Sequence, residues 1–268
     1  MYPEDVNSEG HDFNHLDNPV NPLYRFMAYH LLDRNVQGLN YLTVREDLGV
    51  DPDYANTTDW YTTMLPGTMI KCEHLINLRW MGSGDVKNGY YINRRFDNST
   101  YFERGVNVYN PDVTVDAING IYFYTDNILK FDKTTQEVVD NCRIRMDFST
   151  LFPELATNNL RMNGNWSDYS RKNTKDDDIG YNYIFLDGYL KGVVVSGTDA
   201  KFVYRRPRLN FYSMHGDEMV ANGVFDITFN LPPFPFEGEW QLRLGFAPMT
   251  TAPRCAVQSY LDCKATGI

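Results

Sequence analysis

The spacing of apolar positions changes along this chain. Between Asn21 and Val36, Leu23, Phe26, Met27, His30 and Leu31 recur at helical intervals, and Asn21-Pro22 supply a cap and a first-turn proline. A short amphipathic helix is predicted there. Downstream the period falls towards two. "WYTTMLPGTMIKCEHLINL" reads as two strand-like runs around Pro66-Gly67, and "DVKNGYYINRRF" offers an Asn-Gly turn at 88–89. "VTVDAINGIYFYTDNIL" sets apolar runs on either side of Asn119-Gly120. A two-residue type I′ turn needs two successive residues of positive φ, which Asn-Gly readily supplies, so this segment is predicted to form a hairpin. Its second arm, Ile121 to Thr125, is apolar or aromatic on both faces, which predicts a strand covered on two sides.

After "DNILKFDKTTQEVVDN" the pattern changes. "CRIRMDF" alternates Cys142, Ile144, Met146 and Phe148 with Arg143, Arg145 and Asp147, the period of a strand with one wet face. "YNYIFLDGYL", "AKFVYRR", "GVFDITFNL", "EWQLRLGF" and "CAVQSYLD" follow, with Phe225, Ile227, Phe229 and Leu231 alternating cleanly, as do Trp240, Leu242, Leu244 and Phe246. Regularly spaced strands without intervening helices predict a β-sandwich, jelly-roll-like, or a barrel. The expected organisation is a polar arm over 1–21, an α+β domain over 22–135 and an all-β sandwich over 136–268. The boundary is placed near Lys133 to Glu137. The fold class is α+β, mostly β.

At 268 residues there is room for two domains, each burying its own core. A formal charge of −10, with no long Lys/Arg run to reverse it locally, argues against a nucleic-acid partner. The acidic excess is uneven, 19 Asp/Glu against 11 Lys/Arg over 1–135 and 16 against 14 beyond. No run approaches the roughly 18 apolar residues of a membrane span, and the first residues lack the basic and apolar regions of a signal peptide. Cys72, Cys142, Cys255 and Cys263 share no CxxC spacing; four cysteines permit three disulfide pairings, and buried free thiols are the preferred reading.

Local motifs for chemistry are few. His11 and His15 have the spacing of two ligands on one helical turn, with Asp12 or Asp17 beside them, but nothing local fixes the helix such a site needs. Lys175 to Asp178 and Asp51 to Asp59 cluster carboxylates without the Gly and terminal Glu of a calcium loop. Solvated loops are the better reading. No HExxH, GxSxG, P-loop or GxGxxG occurs. No metal, no cofactor and no catalytic residues are expected. Trp166, Tyr169, Tyr181 and Tyr183 surround the polar loop "NGNWSDYSRKNTKDDDIGYNY", where aromatic faces beside polar groups suit a sugar ring or a protein partner. Core packing is the competing role for Tyr181 and Tyr183, which lie in a strand-like run.

The helix sequence "YRFMAYHLLDRNV" with its Tyr29-His30 pair, the segment "TMLPGTMIK", and the closing strand, Asn119-Gly120, Asp126 and Ile128-Leu129 occur in one order over residues 22–132. That order resembles the C-terminal half of a fasciclin domain. A fasciclin-like part followed by a β-sandwich, with phrases such as "CRIRMDFSTLFPEL", looks like the fasciclin-containing surface lipoproteins of Bacteroidetes. The resemblance implies export to the outer-membrane surface, a lipid anchor outside this segment, and a role in adhesion or surface assembly. It makes Tyr29-His30 a candidate contact, against which stands the ordinary role of a lone His on an apolar helix face, packed inward with a backbone partner. The expected function is therefore a non-enzymatic extracellular adhesion or cell-surface assembly protein binding a surface protein or glycan. The alternative is a glycan-binding accessory lipoprotein of a surface nutrient-uptake complex. A carbohydrate-active enzyme comes third, its paired carboxylates being a spatial feature that spacing along the chain does not reveal.

Overall fold

The computed structural model describes residues 15–36, 58–75, 89–98, 101–109, 115–135, 144, 146–158, 160, 182–205, 218–234, 237–245 and 256–266. Among them the class is α+β and mostly β, with antiparallel sheets. Two units divide the chain at 236/237.

Helix α1 (Pro22–Tyr29) starts where expected, with the Asn21 side chain accepting from the Leu23 amide at 2.9 Å and Pro22 in the first turn. Its inward face differs from the expected one. Ala28 and Tyr29 are buried, while Leu23, Met27 and Leu31 are 41–52% exposed. The strongest apolar stripe of the helix therefore points away from the core, because the bulkier tyrosine has a polar partner inside, described below.

Strands β1 (Thr58–Thr62) and β2 (Met69–Leu75) form the predicted hairpin around Pro66-Gly67. Thr68 N–H donates to the Leu65 carbonyl at 3.2 Å and Gly67 has φ +77°, the geometry of a type II turn with Pro and Gly at its two central positions. Strands β3 (Gly89–Ile92), β4 (Arg95–Asn98), β5 (Tyr101–Glu103), β6 (Val106–Tyr109), β7 (Val115–Ala117), β8 (Gly120–Tyr122) and β9 (Tyr124–Thr125) follow. Five of them make one antiparallel sheet in the order β1-β2-β3-β6-β9, and the pairs β4-β5 and β7-β8 are hairpins inserted between its strands. Where the chain leaves the sheet after β3 and rejoins it before β6, Asn93 has φ +55° and Gly105 φ +74°. A Cβ on Gly105 would stand 2.6 Å from the Ile92 carbonyl oxygen, so only glycine fits there.

The register sorts the sheet into two faces. Cys72, Ile92 and Val108 point to the side of α1 and share a core with Tyr29, Tyr61, Ile70 and Phe131. Trp60 and Met69 point to the opposite side, where Ile144 and Met146 cover them. Of the apolar positions of "CRIRMDF", Ile144, Met146 and Phe148 are half-buried and Cys142 lies outside the described residues; residues 144, 146 and 147 carry no ladder. Asp147 is buried, not on a wet face, because its carboxylate caps the helical turn Phe148–Leu151 by accepting from the Ser149 amide and hydroxyl.

Helix α2 (Pro153–Thr157) follows, then β10 (Asn182–Ile184), β11 (Val194–Arg205) and β12 (Glu218–Thr228), an antiparallel sheet in that order. Phe225, Ile227 and Phe229 are half-buried between exposed neighbours, as their alternation predicts, whereas Leu231 runs on into the half-buried Pro232 and Pro233. In the described residues the second core, of Phe152, Leu155, Leu190, Phe202 and Tyr204, lies between this sheet and the helical segment 148–157. Residues 133–137, expected as a boundary, lie inside the first unit, and contacts pass across that position. Thr150 donates its hydroxyl to the buried Asp59 at 3.3 Å, Asn35 N–H donates to the Thr157 hydroxyl at 3.2 Å, and Ala156 belongs to the first core.

In the second unit, strands β13 (Tyr260–Leu261) and β14 (Lys264–Ala265) pair across a two-residue turn, Asp262-Cys263, with φ +48° and +62°. This pair has the backbone of a type I′ turn. Residues 237–245 form no strand, so the alternation of Leu242 and Leu244, both about half exposed, does not correspond to a ladder there. Periodicity alone does not supply the neighbouring strand that a sheet requires.

Candidate functional site

The expected contact residues separate. Tyr29 is fully buried, and its hydroxyl accepts from Asn93 Nδ2 at 2.8 Å. Asn93 in turn accepts the Lys71 amide through Oδ1 at 3.0 Å, which ties the helix to the point where the chain leaves β3. His30 is half-buried, its Nδ1 lying 2.7 Å from the Phe26 carbonyl oxygen and its ring 4.3 Å from the Phe26 ring. Tyr29 is thus packed inward, while His30, the residue for which an inward role with a backbone partner was weighed, has the backbone partner but is only half-buried. Tyr183 packs against the second core, its ring 6.4 Å from that of Tyr204. Trp166, Tyr169, Tyr181 and the loop Lys175 to Asp178 lie outside the described residues.

The predicted hairpin at Asn119-Gly120 does form, with a different turn. Ala117 pairs with Gly120, so the loop residues are Ile118 and Asn119, and neither Asn119 nor Gly120 has positive φ. The hairpin is also exposed, with every residue from Ala117 to Gly120 at the surface. Reading "IYFYT" as covered on both sides treated tyrosine as a core residue. In the structure Ile121 and Phe123 are half-buried, whereas Tyr122 and Tyr124 point outward. Only one face is covered.

That outward face carries a group of side chains. Tyr109 and Tyr124 are cross-strand partners in β6 and β9, and the Tyr122 ring meets the Tyr124 ring edge-on at 5.5 Å. All three are at the surface, 52%, 45% and 60% exposed. A side-chain hydrogen bond with Tyr124, then the charge that Tyr124 would carry if ionised, push the Tyr122 phenol above its ordinary value. Just after β9, Asp126 accepts the Asn107 amide at 2.8 Å and Arg104 Nη2 at 2.9 Å, and its own N–H donates to the Asn107 carbonyl at 3.0 Å. Its side chain is largely covered while that of Arg104 is half exposed, so the guanidinium presents its remaining donors to solvent. Sequence reading did not single out Tyr109, Tyr122, Tyr124 or Arg104. The signal was available in the strict alternation of Tyr122 and Tyr124 with Ile121 and Phe123.

Beside α1, the outward stripe of Leu23, Met27 and Leu31 joins Leu16, Tyr24 and Met64 around an apolar concavity of about 330 Å3. Among the described residues no three His, Cys, Asp or Glu side chains converge as metal ligands, and His15 and Asp17 are both exposed. Asp59 is buried within the fold and accepts from the Tyr61 hydroxyl at 3.0 Å, a structural role for the last carboxylate of the Asp51 to Asp59 run. Cys72 is a buried free thiol, as expected, whereas Cys263 is a free thiol exposed at a turn. No helix in the described residues is long and apolar enough to cross a membrane. Comparison with family models, with curated proteins and with solved structures finds no match for this chain.

Proposed function

We propose that this chain is a non-enzymatic extracellular adhesion or cell-surface assembly protein. The observation that carries the reading is the group of three exposed tyrosines, Tyr109 and Tyr124 paired on one face of the five-stranded sheet and Tyr122 on the adjoining strand β8. A rigid sheet can present large rings to a partner with little loss of side-chain freedom, because tyrosine has few rotatable bonds. The order of the Tyr29-His30 helix, the "TMLPGTMIK" hairpin and the Asp126 closing segment supports a fasciclin-like part. In this reading Tyr29 builds the part and does not touch the partner, since it has no exposed surface. An anchor outside this segment would hold the protein at the outer-membrane surface.

Beads coated with the purified chain should attach saturably to intact bacterial or host cell surfaces while leaving the surface polysaccharides uncleaved. Release of new reducing ends would replace this reading with the carbohydrate-active enzyme. Absence of attachment above albumin-coated beads would remove it.

A further inference from the structure

We infer that Tyr109, Tyr122 and Tyr124, together with Arg104, form a binding site for a neutral polysaccharide chain; this rests on the proposed binding role and specifies its ligand class. A sugar ring offers an apolar C–H face bordered by hydroxyls, and the site offers the matching pair of features. The exposed tyrosine rings supply apolar faces, and their hydroxyls and the outward guanidinium N–H groups of Arg104 supply polar contacts. The edge-on Tyr122–Tyr124 pair turns two rings into different directions, so a ligand lying on one meets the edge of the other.

Charge selects among glycans. Among the described residues Arg104 is already paired with Asp126, leaving no uncompensated cation at the site, and the chain as a whole carries −10. A polyanionic glycan would therefore be repelled at long range without a local charge to hold it. The site is also open. A single sugar would bury little surface on it, whereas a polymer can occupy it repeatedly and raise its effective concentration. Area argues against a protein partner here. Three half-exposed rings by themselves fall short of the roughly 800 Å2 per side of a stable protein interface.

Native gel electrophoresis through gels containing a soluble α-glucan, a mixed-linkage β-glucan, a galactomannan or the polyanion polygalacturonate tests the assignment. We expect retardation by at least one neutral polymer and none by polygalacturonate. Tyr124→Ala and Tyr109→Ala, each at an exposed position, should weaken binding about tenfold or more with an unchanged melting midpoint. Retardation by polygalacturonate alone, by no polymer, or equally in wild type and both variants overturns the site. If the coated beads still attach to cells, the adhesion reading survives without this ligand, and loss of that attachment on protease treatment of the cells identifies a protein partner instead. If neither gels nor beads show binding, both readings fail together.

Discussion

Two larger cores of the first unit, that beside α1 and that beneath β10-β11-β12, are held by different means. The first, between α1 and one face of the five-stranded sheet, mixes tyrosine and aliphatic side chains with buried Asn21, Asp59, Thr63, Thr68 and Asn93. Each of these can bond in only a few directions, and the Asn93 contacts to Tyr29 and Lys71 set helix and sheet in one relation. The second core is mostly rings. Phe148 meets Phe152 at 5.6 Å and Phe229 at 4.9 Å, and Phe152 meets Phe202 at 5.6 Å, all edge to face. Apolar rings can repack, whereas a buried amide without its partner cannot. The first core should therefore be the more specific and the second the more tolerant of substitutions that keep volume. α2 joins them, since Leu155 lies in the second core and the adjacent Ala156 in the first.

The largest expected effect comes from emptying the second core. Phe152→Ala removes a ring that is 2% exposed and touches Phe148, Phe202 and Phe229, and should cost about 3–5 kcal/mol, whereas Phe152→Leu should cost much less. Urea midpoints that fall equally for both would mean that this core is as shape-specific as the first. Next in size is Tyr29→Phe, which leaves the volume of the first core intact but strands Asn93 Nδ2. A loss of about 1–3 kcal/mol is expected. An unchanged midpoint would show that the hydrogen bond does not distinguish the cores.

A third test uses pH. Burial first, and then the Asp59 carboxylate, push the Cys72 thiol well above its ordinary value. The native state keeps this proton while the unfolded chain releases it above roughly pH 8.5. The thiol's contribution is therefore complete below that pH and declines as pH rises, by at most about 1.4 kcal/mol per pH unit. Cys72→Ala should flatten the alkaline fall in stability relative to wild type. Identical slopes between about pH 8 and 10 would remove Cys72 from the account.

The smallest effects should separate the hairpin inside the first core's sheet from the one outside it. Gly67 has φ +77° with open space around it, so Gly67→Ala should cost on the order of 1 kcal/mol through backbone strain alone. Gly120 has ordinary φ and open space, so Gly120→Ala should stay within about 0.5 kcal/mol. Matching losses at the two glycines would contradict the turn geometries described here.

How far the fold was legible depended on whether a feature was local. The α1 cap, the Pro66-Gly67 turn and the β12 alternation were readable because each follows from the conformational limits of a few adjacent residues. The Asn-Gly reading at 119–120 went astray for the same reason: permission for positive φ does not impose it, and pairing of Ala117 with Gly120 moved the turn back by one residue. At Asp262-Cys263 the pairing imposed the positive-φ pair on a sequence with no glycine. The candidate site was half legible. The alternation of Tyr122 and Tyr124 was visible, but its meeting with Tyr109 across the ladder was not.

The sequence by itself determined the class, mostly β with a short capped helix, and the acidic surface charge that disfavours polyanions, because composition, period and formal charge do not depend on distant contacts. Tertiary structure alone decided which face of each element is inside. It buried Tyr29 instead of the Leu23-Met27-Leu31 stripe, since Asn93 waits 64 residues away in the chain to bond the tyrosine hydroxyl. It brought Tyr109 beside Tyr124 on one exposed face, since that pairing depends on the register between β6 and β9, and it set Tyr122 of β8 edge-on to Tyr124. A one-residue slip would exchange inward and outward positions, and only the assembled sheet sets the register.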